Sequence, residues 1–281
     1  MRRKAVVLGH TGFIGAELAA GLSSYFSVKG FSSRQANLSK ASGLSSLSRA
    51  LRPDTVLFVA LRAGAKPNEA KRGDSYQSLQ RYVTLISNLC ALLERRPVRK
   101  CVYLSSASVY DDSKSNMKIS EKDPLHPQSL YGISKAMGEM LMRGAAASSG
   151  FPLLIARPCN VYGANAFARQ AINSNTVCLY GDGREKRDQL YVKDLVRALG
   201  LLARGPSVGE FNLATGNSVP VRKLIDAMGP PMFIKSKKRT LPLVNLGYNT
   251  NKLRRALKGF QFTPLPDAMS ETVETIGGTF A

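Results

Sequence analysis

Residues Lys4–Leu8 form a short apolar run, and Gly9-His10-Thr11-Gly12-Phe13-Ile14-Gly15 follows it directly. Helical spacing of apolar residues begins at Phe13 and runs to about Ser24, through Leu18 and Leu22. Strand, glycine turn and helix in that order constrain the fold more than anything else in the chain, because they open a parallel α/β unit that cradles a dinucleotide pyrophosphate. Gly9 permits the tight turn, Gly12 lets the backbone approach the phosphates and Gly15 allows close helix–strand packing. Thr11, Phe13 and Ile14 fill out the cofactor-facing segment, whose amides and helix dipole attract the anion. The spacing is G-x-x-G-x-x-G, not the G-x-G-x-x-G of the commonest fingerprint.

The alternation continues downstream. Strand-like runs occur at Ser27–Phe31, Thr55–Ala60, Lys100–Ser105 and Pro152–Ala156, with helical patterns at Arg81–Glu94 and Ser129–Ala147. Apolar strands separated by helices predict an α/β, Rossmann-like, doubly wound parallel sheet. Ligands of such sheets lie beyond the strand C-termini, where the glycine turn, Ala60 and Ser105-Ser106 fall. After Arg157 the pattern is less regular: a loop-rich stretch to Gly183, a strand–helix pair at Asp188–Tyr191 and Val192–Ala203, a strand at Phe211–Ala214 and a helix at Val219–Met228. The Ser-rich stretch Ser39–Ser48 is helix-compatible.

Tyr131 and Lys135 stand four residues apart in a helical stretch and so share one face. A phenol titrates near ~10, and a neighbouring cation favours its ionised form. The pair therefore suits proton exchange with an alcohol/ketone couple near neutral pH. Ser106, at a strand end, can hold the reacting oxygen. Such a couple needs a hydride carrier, which the N-terminal turn accommodates.

The glycine turn, Ser105-Ser106-Ala107-Ser108-Val109-Tyr110, the Tyr131/Lys135 pair, Arg157-Pro158-Cys159-Asn160-Val161-Tyr162-Gly163 and Gly181–Asp188 occur in the order of one family. From about Lys4 to about Ile276 the chain resembles the extended short-chain dehydrogenase/reductases, the NAD-dependent epimerase/dehydratase family that acts mostly on nucleotide sugars. The resemblance implies a dinucleotide-binding domain over 1–160 and a small, mostly substrate-binding domain over 161–281, with some segments returning to the main sheet. It implies Tyr131 as acid/base, Lys135 lowering its pKa and gripping the nicotinamide ribose, and Ser106 bonding the substrate oxygen. Asn160 and Arg187 match positions that contact the substrate diphosphate, Arg187 having a surface salt bridge to Asp182, Glu185 or Asp188 as its alternative. Asn37 and Leu38 match the surroundings of the adenine.

Departures from the family pattern refine this. The second strand ends in Phe31-Ser32-Ser33-Arg34, without the carboxylate that accepts from an NAD ribose. Hydroxyls and a guanidinium suit a 2′-phosphate, so NADP is the expected cofactor and NAD the alternative. Ala107 and Ser108 stand where dehydratases carry acidic residues, which argues against dehydration. The expected function is NADPH-dependent reduction of a nucleotide-linked deoxy-ketosugar. A nucleotide-sugar epimerase is one alternative, and a nucleic-acid-binding protein on a dehydrogenase scaffold another. Tyr82 replaces a common asparagine, and the segment between Gly163 and Gly181 is short, implying a trimmed pocket. Relatives dimerise through the two helices at Arg81–Glu94 and Ser129–Ala147, so a homodimer is expected.

The formal charge is +21, from 40 basic and 19 acidic residues, with dense clusters at Arg95–Lys100, Lys235–Arg239 and Arg254–Lys258. That field attracts anions generally, yet no aromatic–basic interleaving of the RNA-recognition kind accompanies these clusters, so nucleic acid is not the expected partner. The four cysteines lack C-x-x-C spacing, which suggests neither a metal site nor a redox pair and fits reduced thiols in a cytoplasm. No apolar run reaches membrane-spanning length, and the basic start Met1–Lys4 lacks a sufficient apolar stretch behind it to act as a signal peptide.

Overall fold

The computed structural model describes residues 2–62, 75–229, 233–239 and 242–277. Its strands are β1 (Arg3–Leu8), β2 (Phe26–Phe31), β3 (Val56–Val59), β4 (Lys100–Leu104), β5 (Asn116–Ile119), β6 (Leu153–Pro158), β7 (Asn160–Tyr162), β8 (Thr176–Tyr180), β9 (Lys186–Tyr191), β10 (Gly209–Leu213), β11 (Ser218–Pro220), β12 (Phe233–Lys237) and β13 (Leu246–Tyr248). The helices are α1 (Phe13–Gly21), α2 (Ser45–Ala50), α3 (Tyr76–Arg95), α4 (Leu130–Ser149), α5 (Ala166–Ser174), α6 (Val192–Arg204), α7 (Val221–Asp226), α8 (Asn251–Ala256) and α9 (Leu265–Ile276).

Six strands form one parallel sheet in the order β10-β6-β4-β3-β1-β2. Side chains alternate across it. Val7 and Phe58 join Leu18, Leu195 and Leu199 beneath α1 and α6. Leu8, Leu57 and Tyr103 face the other way, into Ile86, Leu89 and Met142 of α3 and α4. Burial on both faces explains why these strands read as continuous apolar runs. β2 lies on one side of β1 and β3 on the other, so the crevice of a doubly wound sheet lies at the end of β1.

The structure corrects the reading of 158–183 as loop-rich, since β7, α5 and β8 lie there. These elements are short, and their apolar residues pack on a third core with Leu224, Ile225, Met269 and Val273. The helix expected over Val219–Met228 is reduced to Val221–Asp226, because Ser218–Pro220 pair with Lys186–Asp188. Leu22–Ser24 form a 3₁₀ turn after α1. β10 pairs with β6, and α6 lies in the first core. The remaining small sheets are β11-β9-β7, β12-β8 and β13-β5. Among the described residues no helix is long and apolar enough to cross a membrane.

Candidate functional site

The glycine turn closes on itself by Gly12 N–H donating to Gly9 O at 3.0 Å, while Gly9 N–H donates to Phe31 O at 2.9 Å. Gly9 has φ +81°, and a Cβ there would lie 2.5 Å from Ala60 O. A Cβ on Gly15 would come 2.0 Å from Gly9 O. Both glycines are therefore required by backbone approach. Gly12 caps α1 with no side-chain bond and no acidic residue in the first turn, so the amides of Phe13, Ile14 and Gly15 face the crevice undiluted. Thr11 is exposed within the turn and Ala60 closes its far side, bonded through its N–H to Leu8 O. A Cβ-free cradle below bare helix amides fits the pyrophosphate of a nicotinamide dinucleotide.

At the end of β2, Ser32 donates its hydroxyl to Gln35 Oε1 at 2.9 Å. Ser33 and Arg34 are exposed, and none of the described residues pairs with the Arg34 guanidinium. Asn37 Oδ1 accepts from Ser39, whereas the carbonyl of buried Leu38 accepts from Asn88 of α3 at 2.7 Å. His10 lies against Gly30, where a Cβ would sit 2.5 Å from its ring. Its buried Nδ1 has no partner among the described residues.

Ser129 caps α4 by accepting from Gly132 N–H at 3.1 Å. A Cβ on Gly132 would come 2.2 Å from Ser108 O, so the helix start and the Ser106–Ser108 turn are in backbone contact. Tyr131 is half-buried and packs against the second core. Ser106 accepts from Ser108 N–H at 3.1 Å and donates to Ser108 Oγ at 3.2 Å. Ser105, by contrast, is buried and donates to Glu139 Oε1 at 2.6 Å, leaving Ser106 as the hydroxyl that faces the cleft.

Lys135 is only 4% exposed. Its ammonium donates to Leu61 O at 3.0 Å, Leu104 O at 2.9 Å and Tyr82 OH at 3.2 Å, which uses all three of its protons. Tyr82 OH and Tyr103 OH lie 2.8 Å apart, and Tyr103 OH donates to Lys135 O at 3.3 Å. Tyr82 accepts from Lys135 and shares a hydrogen bond with Tyr103 in which either hydroxyl can donate. Burial pulls the Lys135 pKa down to about 7, with Glu139 opposing, and pushes both tyrosines upward. The expected ribose grip is thus not preformed: each ammonium proton already has an acceptor inside the protein.

Ser106, Asn160 and Arg187 line one cavity of about 110 Å³, together with Asp112, Asp188 and Tyr248. Arg187 is anchored through Nη1 to Lys186 O and Val244 O. The carboxylates that could have claimed it are taken: Asp182 pairs with Arg184, Glu185 with Arg239, and buried Asp188 accepts from Thr215 and Gly216. Below the cavity, fully buried Glu139 binds Arg157 Nε at 2.9 Å and Nη2 at 2.7 Å. Arg157 also donates to Tyr110 OH at 2.8 Å. Arg157, conspicuous in the sequence, is a strut. Tyr248, in three-residue β13, gave no sequence signal.

The profile of the NAD dependent epimerase/dehydratase family matches residues 5–214. Over 145 residues the chain is 30% identical to the low-salt glycan biosynthesis protein Agl12 of Haloferax volcanii, covering 47% of this chain and 46% of that protein. Over 124 residues it is 36% identical to dTDP-glucose 4,6-dehydratase of Haemophilus influenzae, covering 41% and 37%. The chain thus spans about half, or less, of the length of these curated relatives. The UDP-N-acetylglucosamine 4-epimerase structure from Methanobrevibacter ruminantium M1 superposes with TM-score 0.80 at 22% identity, covering 97% of each chain. The UDP-glucose 4-epimerase of Thermus thermophilus, in complex with NAD, superposes with TM-score 0.82 at 21% identity, covering 98% and 99%.

Proposed function

This chain belongs to the NAD-dependent epimerase/dehydratase family, and from that premise we propose that it is an enzyme that uses NADPH to reduce the keto group of a nucleotide-linked deoxy-ketosugar. The nicotinamide, when bound, supplies the hydride. Tyr131 gives the proton to the new alkoxide, Ser106 holds that oxygen, and the Lys135 charge one helical turn away favours the phenolate left behind. Asn160 and Arg187 face the diphosphate. Gly9, Thr11, Gly12, Phe13, Ile14 and Gly15 hold the cofactor pyrophosphate, and Asn37, Leu38 and Ala60 border its adenosine half.

The observation that carries the reductase reading is the end of β2, where Ser33 and Arg34, the latter unpaired among the described residues, stand in place of a carboxylate. With Ser32 committed to Gln35, these two supply the donors for a 2′-phosphate. Ala107 is buried and Ser108 is neutral, so neither of the two positions that follow Ser106 offers the acid or base that sugar dehydration needs there. Purified protein is expected to oxidise NADPH when given a nucleotide-linked ketosugar. Tyr131→Phe should lower the rate by about 10²–10⁴ while NADPH affinity is retained; undiminished turnover would reject the assignment.

The epimerase-named structural neighbours favour a second reading, an NAD(P)-dependent nucleotide-sugar epimerase. It predicts dinucleotide released on denaturation and epimer formation with no cofactor added. A homodimer through α3 and α4 belongs to either reading: Met137 and Met140 are exposed on α4, beside a groove lined by Ala91 and Gly144. A cytoplasmic setting accords with four unpaired cysteines.

A further inference from the structure

Arginines gather at the end of the parallel sheet remote from the crevice. Arg2 precedes β1, Arg3 opens it, and Arg204 stands in the last turn of α6. With Tyr25, Leu201 and Gly205 they line an open cavity of about 470 Å³, a size common for small-molecule sites. That lining contains no carboxylate. Among the described residues no carboxylate pairs with any of the three arginines, and Asp54, at the same end of the sheet, is held by Lys4. Arg2 donates through Nη1 to Ser23 O at 2.5 Å, and Arg3 through Nη1 to Arg204 O at 3.5 Å. Each guanidinium has five donors, so most stay unspent.

The walls of the cavity are fixed from beneath. A Cβ on Gly200 would come 2.8 Å from the Tyr25 ring, so that ring is seated directly on α6. The Arg204 guanidinium lies 5.5 Å from the ring centroid. The carbonyl end of a helix repels anions, but here the buried Lys100 ammonium covers it, donating to Leu202 O at 3.3 Å and Gly205 O at 2.5 Å. The cavity is left electropositive.

We infer that this cavity binds a compact oligophosphate, pyrophosphate or triphosphate in kind, through Arg2, Arg3 and Arg204. Guanidinium forks match phosphate oxygens two at a time, and linked phosphates engage several forks at once. Tyr25 is spent beneath Arg204, which leaves no ring in the lining to stack on a base. The cavity therefore reads phosphates and ignores a nucleoside. β1 carries Arg3 at one end and Leu8, beside the glycine turn, at the other, about 16 Å away at the rise of a strand. The two anion sites are thus distinct, and this one stands without the reaction proposed above.

The test is calorimetric titration of the whole chain with sodium tripolyphosphate at constant ionic strength. A single saturable site is expected, and the ligand should raise the unfolding temperature. Arg3→Gln and Arg204→Gln should each weaken binding about tenfold. The double variant, its folding checked by its unfolding midpoint, should show neither binding heat nor a ligand-induced rise. Lys118→Gln removes the same charge from an exposed position on β5 and should leave binding unchanged. ATP should bind no more tightly than tripolyphosphate, and oligo(dT) at equal phosphate concentration should fail to displace it. Full binding by the double variant, an equal loss in Lys118→Gln, a loss in Arg34→Gln at the crevice, tighter binding of ATP, or displacement by oligo(dT) would each overturn the inference.

Discussion

The two halves of the site differ in where their donors point. In the glycine turn, the first amides of α1 open onto the crevice with no cap and no counter-charge. On α4, the Lys135 ammonium has turned inward, its protons shared among Leu61, Leu104 and Tyr82. The half proposed to hold the cofactor keeps its hydrogen bonds in reserve, while the half proposed to transfer the proton is closed upon itself. An open cradle after β1 and a self-satisfied ammonium on α4 thus belong to one site. Preorganisation toward a ligand and internal satisfaction are separate devices, and one sheet edge carries both.

The largest expected break in that contrast comes from Gly15→Ala. Its methyl would meet Gly9 O at 2.0 Å, so α1 must shift off the turn. We expect dinucleotide affinity to fall at least ~100-fold and stability by about 3 kcal/mol or more, read by calorimetry and denaturant unfolding. Next comes Tyr82→Phe, which strips an acceptor from Lys135 and a hydrogen-bond partner from Tyr103. A loss of about 1–3 kcal/mol is expected, and the Tyr82→Phe/Tyr103→Phe double variant should lose less than the sum, since both hydroxyls belong to one circuit.

Arg34→Ala sharpens the comparison on the cofactor side. NADP(H) affinity should fall about tenfold with NAD(H) affinity unchanged; equal losses would assign Arg34 no role at the 2′-position. A further effect is read from pH. The folded Lys135 titrates near about 7, against ~10.4 in an unfolded chain. Between these values the unfolded state holds the extra proton, so this group makes stability rise with pH across that window. Lys135→Met should remove that contribution, seen as a flatter dependence of unfolding midpoint on pH than in the parent.

Much of the parallel sheet was legible in the sequence, because strands buried on both faces write themselves as apolar runs such as Val56–Val59 and Lys100–Leu104. Strands of three to five residues with one wet face leave no such mark, and β7, β8, β12 and β13 went unread. The site divides in the same way. Gly9, Gly15, Tyr131 and Ser106 stand in contiguous motifs that sequence spacing reveals. The acceptors of Lys135 come from three separate elements, two of them backbone carbonyls, whose identity no side chain encodes. Tyr82 was conspicuous as a departure; its partner Tyr103 looked like one more apolar strand residue.

Gly132 does for alignment what a dowel does in a joint. With no side chain of its own, it lets the first turn of α4 seat against Ser108 O, where one added methyl would intrude to 2.2 Å. The phenol of Tyr131 rides on one part of that joint and the hydroxyl of Ser106 on the other. The tolerance between the two groups proposed to act on the substrate is therefore set by a third residue with no chemistry at all, and drift at that seam separates them while leaving both intact.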